Sequence, residues 1–279
     1  MGAPILIPRG EGEIVGDAPD RRVEILSDDD SLNVTWSRFG PYREGAELHI
    51  HRRHTDFFYV LEGELSLRLG VEDDRVAIPA GTLVRVPTLV VHGFNNGSDA
   101  EIRFLNLHAP GRRFADFMRA RRDGRTFDFD QEPPPPDGIR PPTEAAIGGV
   151  EILVDRPGLR VALLADIDAL GIVEVRSDPG DVAPPPHLHR RHVESFYVLE
   201  GELTFTLADG EQRAGAGDWV KVPPETAHTF AVAGEAEARF LNFHSPSCGF
   251  GDFVRTLHAA GGEDELRAAR AAFDQEPAR

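Results

Sequence analysis

The chain has 279 residues, and its composition excludes several classes of protein. Its formal net charge is −17, and a field of that sign repels phosphate backbones and anionic membrane surfaces. We therefore expect no nucleic acid and no membrane among its partners. The one cysteine, Cys248, precludes an intrachain disulfide, and no apolar run approaches the roughly 18 residues of a membrane span. Because the N-terminus shows no signal-peptide pattern, the sequence predicts a cytoplasmic protein.

An internal repeat divides the chain into two copies. The repeated segments are LHIHRRHTDFFYVLEGELSL at 48–67 with HLHRRHVESFYVLEGELTF at 187–205, RFLNLHAP at 103–110 with RFLNFHSP at 239–246, and FDQEP at 129–133 with the same letters at 273–277. Between the copies, the stretch PPPPDGIRPP at 133–142 is incompatible with a helix or a central strand. We therefore predict two domains, residues 1–139 and 140–279, each large enough to bury a core.

Each copy is predicted to consist of strands followed by a short helix. Stretches of alternating apolar and polar residues, separated by turn residues, predict a sandwich or barrel. In the first copy these stretches are LNVTWSRF at 32–39, AELHIH at 46–51, FFYVLEGELSLRL at 57–69, GTLVRVP at 81–87 and EIRFLNLH at 101–108. Gly63 and its counterpart Gly201 predict hairpin turns. Helical spacing of apolar residues then predicts helices over 112–122, after residue 246 and over 263–273.

Ten of the eleven histidines recur as matched pairs. The pairs are His49 with His187, His51 with His189, His54 with His192, His92 with His228, and His108 with His244. Two histidines separated by one residue leave a strand on the same face, and a carboxylate and a later histidine follow them. The resulting sets are His49, His51, Asp56 and His92, and His187, His189, Glu194 and His228. Three imidazoles and one carboxylate suit Fe, Mn, Ni, Co, Cu or Zn better than Ca or Mg. We predict up to two divalent transition-metal ions per chain.

The remaining paired histidines are less well determined by the sequence. His54 and His192 belong to an R-R-H turn, for which a solvated position is favoured over contact with the site. A histidine near the end of each copy alternates with an asparagine, and buried polar groups of this kind need partners. We expect these pairs to line a cavity or to hold the following helix; they are Asn106 with His108 and Asn242 with His244.

Both copies resemble the cupin motifs G-x5-H-x-H-x3-4-E-x6-G and G-x5-P-x-G-x2-H-x3-N. The matching positions are His49, His51, Asp56, Gly63, Gly81, Pro87, His92 and Asn96 in the first copy, and His187, His189, Glu194, Gly201, Gly217, Pro223 and His228 in the second. The resemblance covers both halves and implies a bicupin. Its fold would be all-β, with two tandem double-stranded β-helix (jelly-roll) barrels, a short helix after each barrel and the metal inside. Leu89 and Glu225 depart from the motif by replacing its second-motif glycine.

The resemblance also implies a class of function. Three histidines and one carboxylate resemble the set of flavonol-type dioxygenases, acireductone dioxygenases and oxalate-degrading cupins. We expect a metal-dependent oxidoreductase, a non-haem dioxygenase that acts on a small aromatic or enolic substrate and uses Glu194 as its catalytic residue. One alternative is a metal-dependent isomerase or lyase that acts on a sugar or small acid. Another is a non-catalytic ligand-binding protein.

Two further expectations follow from the duplication. A duplicated chain commonly replaces a symmetric interface, so we expect a monomer whose barrels form a pseudo-dimer, or else a homodimer. The copies also differ at the carboxylate, because Asp56 is one methylene shorter than Glu194. We therefore expect the Glu194 site to bind metal more tightly than the Asp56 site.

Overall fold

The computed structural model describes residues 5–70, 74–135, 146–259 and 262–278. The chain forms two compact units, Gly12–Gly148 and a second unit made of Met1–Glu11 with Gly149–Arg279. The boundary predicted between residues 139 and 140 lies outside the described residues. No helix among the described residues is both long enough and apolar enough to cross a membrane.

Strands are the main secondary structure of both units, as the alternating patterns predict. In residues 5–109 they are β1 (Ile5–Ile7), β2 (Glu13–Ala18), β3 (Arg21–Asp28), β4 (Asn33–Phe39), β5 (Glu44–His49), β6 (Thr55–Glu62), β7 (Glu64–Leu69), β8 (Asp74–Pro79), β9 (Leu83–Val86), β10 (His92–Asn95) and β11 (Ile102–Ala109). In residues 146–277 they are β12 (Ala146–Ile147), β13 (Glu151–Arg156), β14 (Leu159–Ile167), β15 (Leu170–Ser177), β16 (His187–Leu188), β17 (Val193–Glu200), β18 (Glu202–Leu207), β19 (Gly210–Gly215), β20 (Trp219–Val222), β21 (His228–Val232), β22 (Ala238–Ser245) and β23 (Glu276–Pro277).

Each unit is an antiparallel double-stranded β-helix built from two sheets. In the first unit the sheet orders are β12-β9-β6-β11-β4-β3-β2 and β5-β10-β7-β8. In the second they are β1-β20-β17-β22-β15-β14-β13 and β19-β18-β21-β16-β23. The all-β bicupin fold implied by the resemblance is confirmed.

Alternation along the strands places one set of side chains inside each barrel. On β7, Leu65 and Leu67 are fully buried, whereas the side chains between and before them are not. They pack with Phe58 and Phe104 in the first core, and Phe196 with Phe240 takes the same place in the second. Burial of a side chain of this size stabilises the fold by about 1.5–3 kcal/mol.

The turns predicted at Gly63 and Gly201 are real, but they are not hairpin turns. β6 pairs with β9 and β11, whereas β7 pairs with β8 and β10, so the two strands that flank Gly63 belong to different sheets. Both glycines have a left-handed φ, 76° and 74°. A Cβ atom at Gly201 would lie 2.5 Å from the Glu237 carbonyl oxygen. Each glycine therefore turns the chain from one sheet to the other, a distinction that a local pattern does not encode.

Short helices follow the last strand of each barrel. They are α1 (Phe114–Arg122), α2 (Phe250–Ala259) and α3 (Glu263–Phe273). The prediction for 263–273 is confirmed residue by residue, and the first helix begins two residues later than predicted. Phe114, Phe250 and Phe253 point from these helices into the barrel cores.

Candidate metal centres in the two barrels

The four predicted donors of the first copy come together inside the first barrel. His49 at the end of β5 is the direct antiparallel partner of His92 at the start of β10. His51 lies two residues beyond the end of this strand, after Ile50, which forms an isolated bridge to Glu132. The Nε2 atoms of His49 and His51 are 3.1 Å apart, and Oδ2 of Asp56 on β6 lies 3.4 Å from His51 Nε2 and 3.3 Å from His92 Nε2. All four side chains are buried.

The second copy repeats this arrangement with glutamate as the carboxylate. His187 on β16 and His228 on β21 are again direct partners. Glu194 Oε2 lies 2.7 Å from His228 Nε2, 3.1 Å from His189 Nε2 and 3.8 Å from His187 Nε2. Two donors bound about 2.1 Å from one ion are separated by about 3.0–3.4 Å, so both sets have dimensions that suit a transition metal.

The ring orientations fix which nitrogen of each histidine faces the centre. In all six imidazoles Nδ1 donates to a backbone carbonyl; the acceptors are Glu47 for His49, Asp130 for His51, Val90 for His92, Pro185 for His187, Asp274 for His189 and Thr226 for His228. A proton held on Nδ1 leaves the lone pair of Nε2 directed into the barrel, which is the form that binds a metal. The surrounding backbone thus supports ligation at every predicted histidine.

The charges of the two sites also favour a cation. Burial raises the pKa of the Asp56 carboxyl, but His108 and His51 outweigh burial and hold this pKa well below its ordinary value. Glu194 behaves in the same way beside His244 and the histidines of its own set. Burial lowers the pKa of His49 to about 3, so this ring is neutral. A carboxylate that stays anionic while fully buried is costly unless positive charge compensates it.

In each R-R-H turn the histidine is buried against the FDQEP segment while both arginines are exposed, so the favoured interpretation of His54 and His192 as solvated residues is wrong. Each of these rings is only 1% exposed. His54 Nδ1 lies 2.9 Å from Asp130 Oδ2, and this carboxylate also accepts from the backbone amides of Arg52 and Arg53. In the second barrel the Asp274 carboxylate likewise accepts from the backbone amides of Arg190 and Arg191.

The two aspartates of these segments were missed as site residues. Each supplies the carbonyl that holds a ligand histidine, His51 or His189, and the carboxylate that holds the adjacent turn. The signal was available, because FDQEP and R-R-H recur together in both copies. A sequence pattern cannot show that a segment some 80 residues later folds back over the ligands.

The prediction that the Asn–His pairs line cavities is confirmed. Asn106 and His108 line the first cavity, and Asn242 and His244 line the second. Each histidine also stacks on a helix phenylalanine, with centroid distances of 3.6 Å for His108 on Phe114 and 3.8 Å in the second copy. These residues therefore both line the cavities and contact the following helices.

Leu89 and Glu225, which replace the glycine of the second motif, adopt the left-handed backbone conformation that glycine favours. Leu89 and Glu225 have left-handed φ values of 67° and 63°. Their amides donate to the carbonyl oxygens of His51 and His189, at 2.7 Å and 2.5 Å. A non-glycine residue pays about 1–2 kcal/mol for this conformation, which the ligand loop nevertheless requires.

The cavities next to the two sites differ in size and lining. The first has a volume of about 80 Å³. Its lining combines polar groups beside the donor set, Arg21, Thr35, Ser37 and Arg121, with apolar ones such as Phe39, Phe94, Phe104 and Phe114. The second has a volume of about 410 Å³. Its walls are mainly apolar; they include Leu159, Val161, Val173, Val175, Phe230, Phe250, Phe253 and Leu257. The second cavity is thus large enough for a small organic molecule, and the first for an ion with a few waters.

Comparison with known proteins agrees with the two-barrel description. A quercetin 2,3-dioxygenase from Bacillus subtilis (strain 168) is 24% identical over 219 residues, which span 66% of this chain and 65% of that protein. Among solved structures, AerE from Microcystis aeruginosa has a TM-score of 0.59 at 16% identity, covering 83% of this chain and 95% of its own. An oxalate decarboxylase from Lactobacillus farciminis has a TM-score of 0.61 at 15% identity, covering 88% and 87%.

A family model supplies the assignment. The cupin domain model, Cupin_2, matches residues 36–108 and 173–244, one match in each barrel and together more than half of the chain. Each match includes the whole predicted donor set of its barrel. The chain is a two-domain member of the cupin family.

Proposed function

We propose that the protein is a metal-dependent dioxygenase whose substrate, a small aromatic or enolic molecule, binds in the second barrel. The observation that carries this proposal is the cavity of about 410 Å³ that opens onto His187, His189 and Glu194. Metal donors at one wall and phenylalanines at the others suit a flat, mostly apolar molecule with one chelating polar end. The curated relative acts on quercetin, according to its name, and such a molecule has this character.

The bound metal would supply Lewis acidity and one-electron redox chemistry. A dioxygenase reaction places both atoms of O₂ in the oxidised organic product, so it requires no external reductant. The residues of this chain bind the substrate and accept the proton that it releases. Phe230 and Phe253 cover apolar surface and exclude water, while Arg270 lines the same cavity and has a buried Nε without a hydrogen-bond partner among the described residues. Arg270 is suited to an anionic oxygen of the substrate.

Glu194 is the proposed catalytic residue. Its Oε1 accepts from Asn242 Nδ2 at 2.9 Å, while Oε2 faces the three histidines. The amide holds the carboxylate in place when the Oε2 contacts change. We assign to Glu194 the removal of the proton from an enolic hydroxyl of the substrate, a step that typically contributes about 10²–10⁴-fold to a rate.

A second candidate function is favoured by the lining of the first cavity. Arg21 and Arg121 beside the Asp56 site suit a small acid, and a cavity of about 80 Å³ excludes a larger one. A lyase that acts on a small carboxylic acid would use this barrel and would release a small product without consuming dioxygen.

Dioxygen uptake separates these possibilities. We would load the protein with Fe(II) or Mn(II) and measure O₂ consumption with flavonols, enediols and small carboxylic acids, using ¹⁸O₂ to label the product. The proposal expects uptake and two labelled atoms with an aromatic or enolic substrate. Product release from a small acid without uptake would instead support the lyase, and retained metal without turnover would support a ligand-binding protein.

A matched pair of variants tests the role of Glu194. Glu194→Gln should lower turnover by about 10²–10⁴-fold, because the amide cannot take the proton. The control is Glu200→Gln, which makes the same change on the same strand at a side chain that is 57% exposed. Equal activity of the two variants, at equal metal content, would overturn the assignment.

A further inference from the structure

The first barrel contains a second group of potential ligands next to the predicted set. His54, His108 and Asp56, together with His51, place their donor atoms within 4.8 Å of one another, and all are buried. Asp56 is common to both groups. Its Oδ2 faces His51 and His92, whereas its Oδ1 lies 2.9 Å from His108 Nε2 and 3.5 Å from His54 Nε2.

Several atoms of this group lack hydrogen-bond partners among the described residues. The two that face the proposed position are His54 Nε2 and Asp56 Oδ1, and Asp56 Oδ1 has only ion-pair contacts, the shorter with His108 Nε2 at 2.9 Å. Side chains that are 1–3% exposed are normally satisfied, so two buried orphan atoms that lie 3.5 Å apart, His54 Nε2 and Asp56 Oδ1, indicate an absent ligand. His54 is also prepared for ligation, because Asp130 holds its Nδ1 at 2.9 Å and leaves Nε2 directed toward Asp56.

We propose that the first barrel binds two divalent metal ions, bridged by Asp56. One ion takes the predicted set, including His51, since a single imidazole nitrogen serves only one metal. The other is held by Asp56 Oδ1, His54 Nε2 and His108 Nε2. Three protein ligands leave open positions, which is typical of exchangeable rather than purely structural sites. Carboxylate-bridged pairs of metals recur in enzymes of hydrolysis and group transfer.

The second barrel lacks this second position, although it keeps both histidines. Its group is His189, His192 and His244, without a carboxylate. His192 Nε2 lies 3.0 Å from His244 Nδ1, and His244 Nε2 lies 2.9 Å from Asn242 Oδ1, so these rings bond to each other and to an amide. Glu194 contacts its own donor set with Oε2. Its Oε1 accepts from Asn242 at 2.9 Å and lies 3.6 Å from His244 Nε2, which is closer to the Asn242 oxygen at 2.9 Å. The missing methylene at Asp56 therefore changes the number of metals rather than only the strength of one site.

The inference rests on the proposed metal sites, and metal counting separates the two. We would titrate metal-free full-length protein with Mn(II) and count bound ions by native mass spectrometry and elemental analysis. The expected count is three ions per chain, with an EPR spectrum that contains an exchange-coupled pair. No bound ion would contradict the metal sites altogether. Two uncoupled ions would contradict only the second position in the first barrel.

Matched variants place the third ion. His54→Ala should lower the count from three to two and abolish the coupled signal, whereas His192→Ala, the same change in the other barrel, should leave three. Asp56→Glu, which restores the glutamate of the second copy, should also abolish the coupling while the chain remains folded. An unchanged count in His54→Ala would overturn the proposal, as would equal losses in the two alanine variants.

Discussion

The two barrels share one scaffold, yet they present different environments to the same kind of donor set. Their histidines are fixed by the same backbone carbonyl contacts and the same aspartate in FDQEP. The first set faces a cavity of about 80 Å³ whose lining includes arginine and hydroxyl groups as well as several phenylalanines. The second set faces about 410 Å³ of mainly apolar space. Duplication preserved the residues that orient the ligands, whereas the residues that determine what can approach the ligands diverged.

The carboxylate is the other difference between the copies. Asp56 divides its two oxygens between two groups of histidines, and Glu194 directs one oxygen to its set and the other to Asn242. Despite its shorter side chain, Asp56 approaches His51 and His92 to 3.4 Å and 3.3 Å. The expectation that the Glu194 site binds metal more tightly stays a prediction.

The largest expected effect is on turnover. Replacing His189 by Ala should lower dioxygenase activity by about 10³-fold or more, because an electrophilic metal contributes several kcal/mol to such a reaction. His51→Ala makes the same change in the first barrel. It should lower activity by less than about 10-fold, because the proposal attributes the dioxygenase chemistry to the second barrel alone. Steady-state O₂ uptake of both variants measures the difference. Equal losses would show that the barrels do not divide the function in this way.

A smaller effect is expected on the stability of the second unit, to which the N-terminal strand β1 belongs. β1 pairs with β20, Leu6 packs on the second core, and the Arg9 amide donates to Asp218 at 2.8 Å. Deleting residues 1–11 should lower the free energy of unfolding of this unit by about 2–3 kcal/mol, from a few hydrogen bonds of about 1 kcal/mol and the lost burial of Leu6. Hydrogen exchange would locate the change in β20.

The control for this deletion is a truncation of residues 1–4, which leaves β1 in place. This shorter chain should lose less stability than the chain without residues 1–11. Faster exchange in the first barrel, with β20 unaffected, would contradict the assignment of the N-terminal strand to the second unit.

Narrowing the second cavity should weaken substrate binding without removing metal. Leu257 lies on α2 at the edge of this cavity and is 37% exposed, so Leu257→Trp adds volume without overpacking the core. We expect KM to rise about 10-fold, equivalent to about 1.4 kcal/mol, with kcat within about twofold. Leu257→Ala is the control and should not raise KM to this extent. An unchanged KM in the tryptophan variant would mean that substrate binds elsewhere.

The smallest effect is at the strained turn beside the ligands. Glu225 is exposed and has a φ of 63°. Glu225→Gly should raise the free energy of unfolding by up to about 1 kcal/mol by removing the left-handed strain, reduced by the greater freedom of glycine in the unfolded chain. Glu225→Ala retains a Cβ and should give no gain. Chemical denaturation of both variants decides between them, since equal stabilities would mean that the turn is not strained.

The sequence predicted the fold class, the repeat and the two donor sets because each depends on short-range patterns. His49 and His51 are neighbours in sequence, and the resemblance connected them to His92. The sequence did not predict that residues 5–7 complete the other barrel, because three apolar residues carry no information about a partner strand. It also misjudged His54, since only the return of Asp130 over the turn makes that position buried.

Metal content of His187→Ala tests the central claim most directly. Elemental analysis of protein purified without added metal should show one equivalent fewer per chain than the unaltered protein, with the remaining metal retained in the first barrel. The adjacent variant Leu188→Ala, whose side chain is outside the donor set, should keep the full content. Unchanged metal in His187→Ala would contradict the account, because the second barrel would then have no site built from His187, His189, Glu194 and His228.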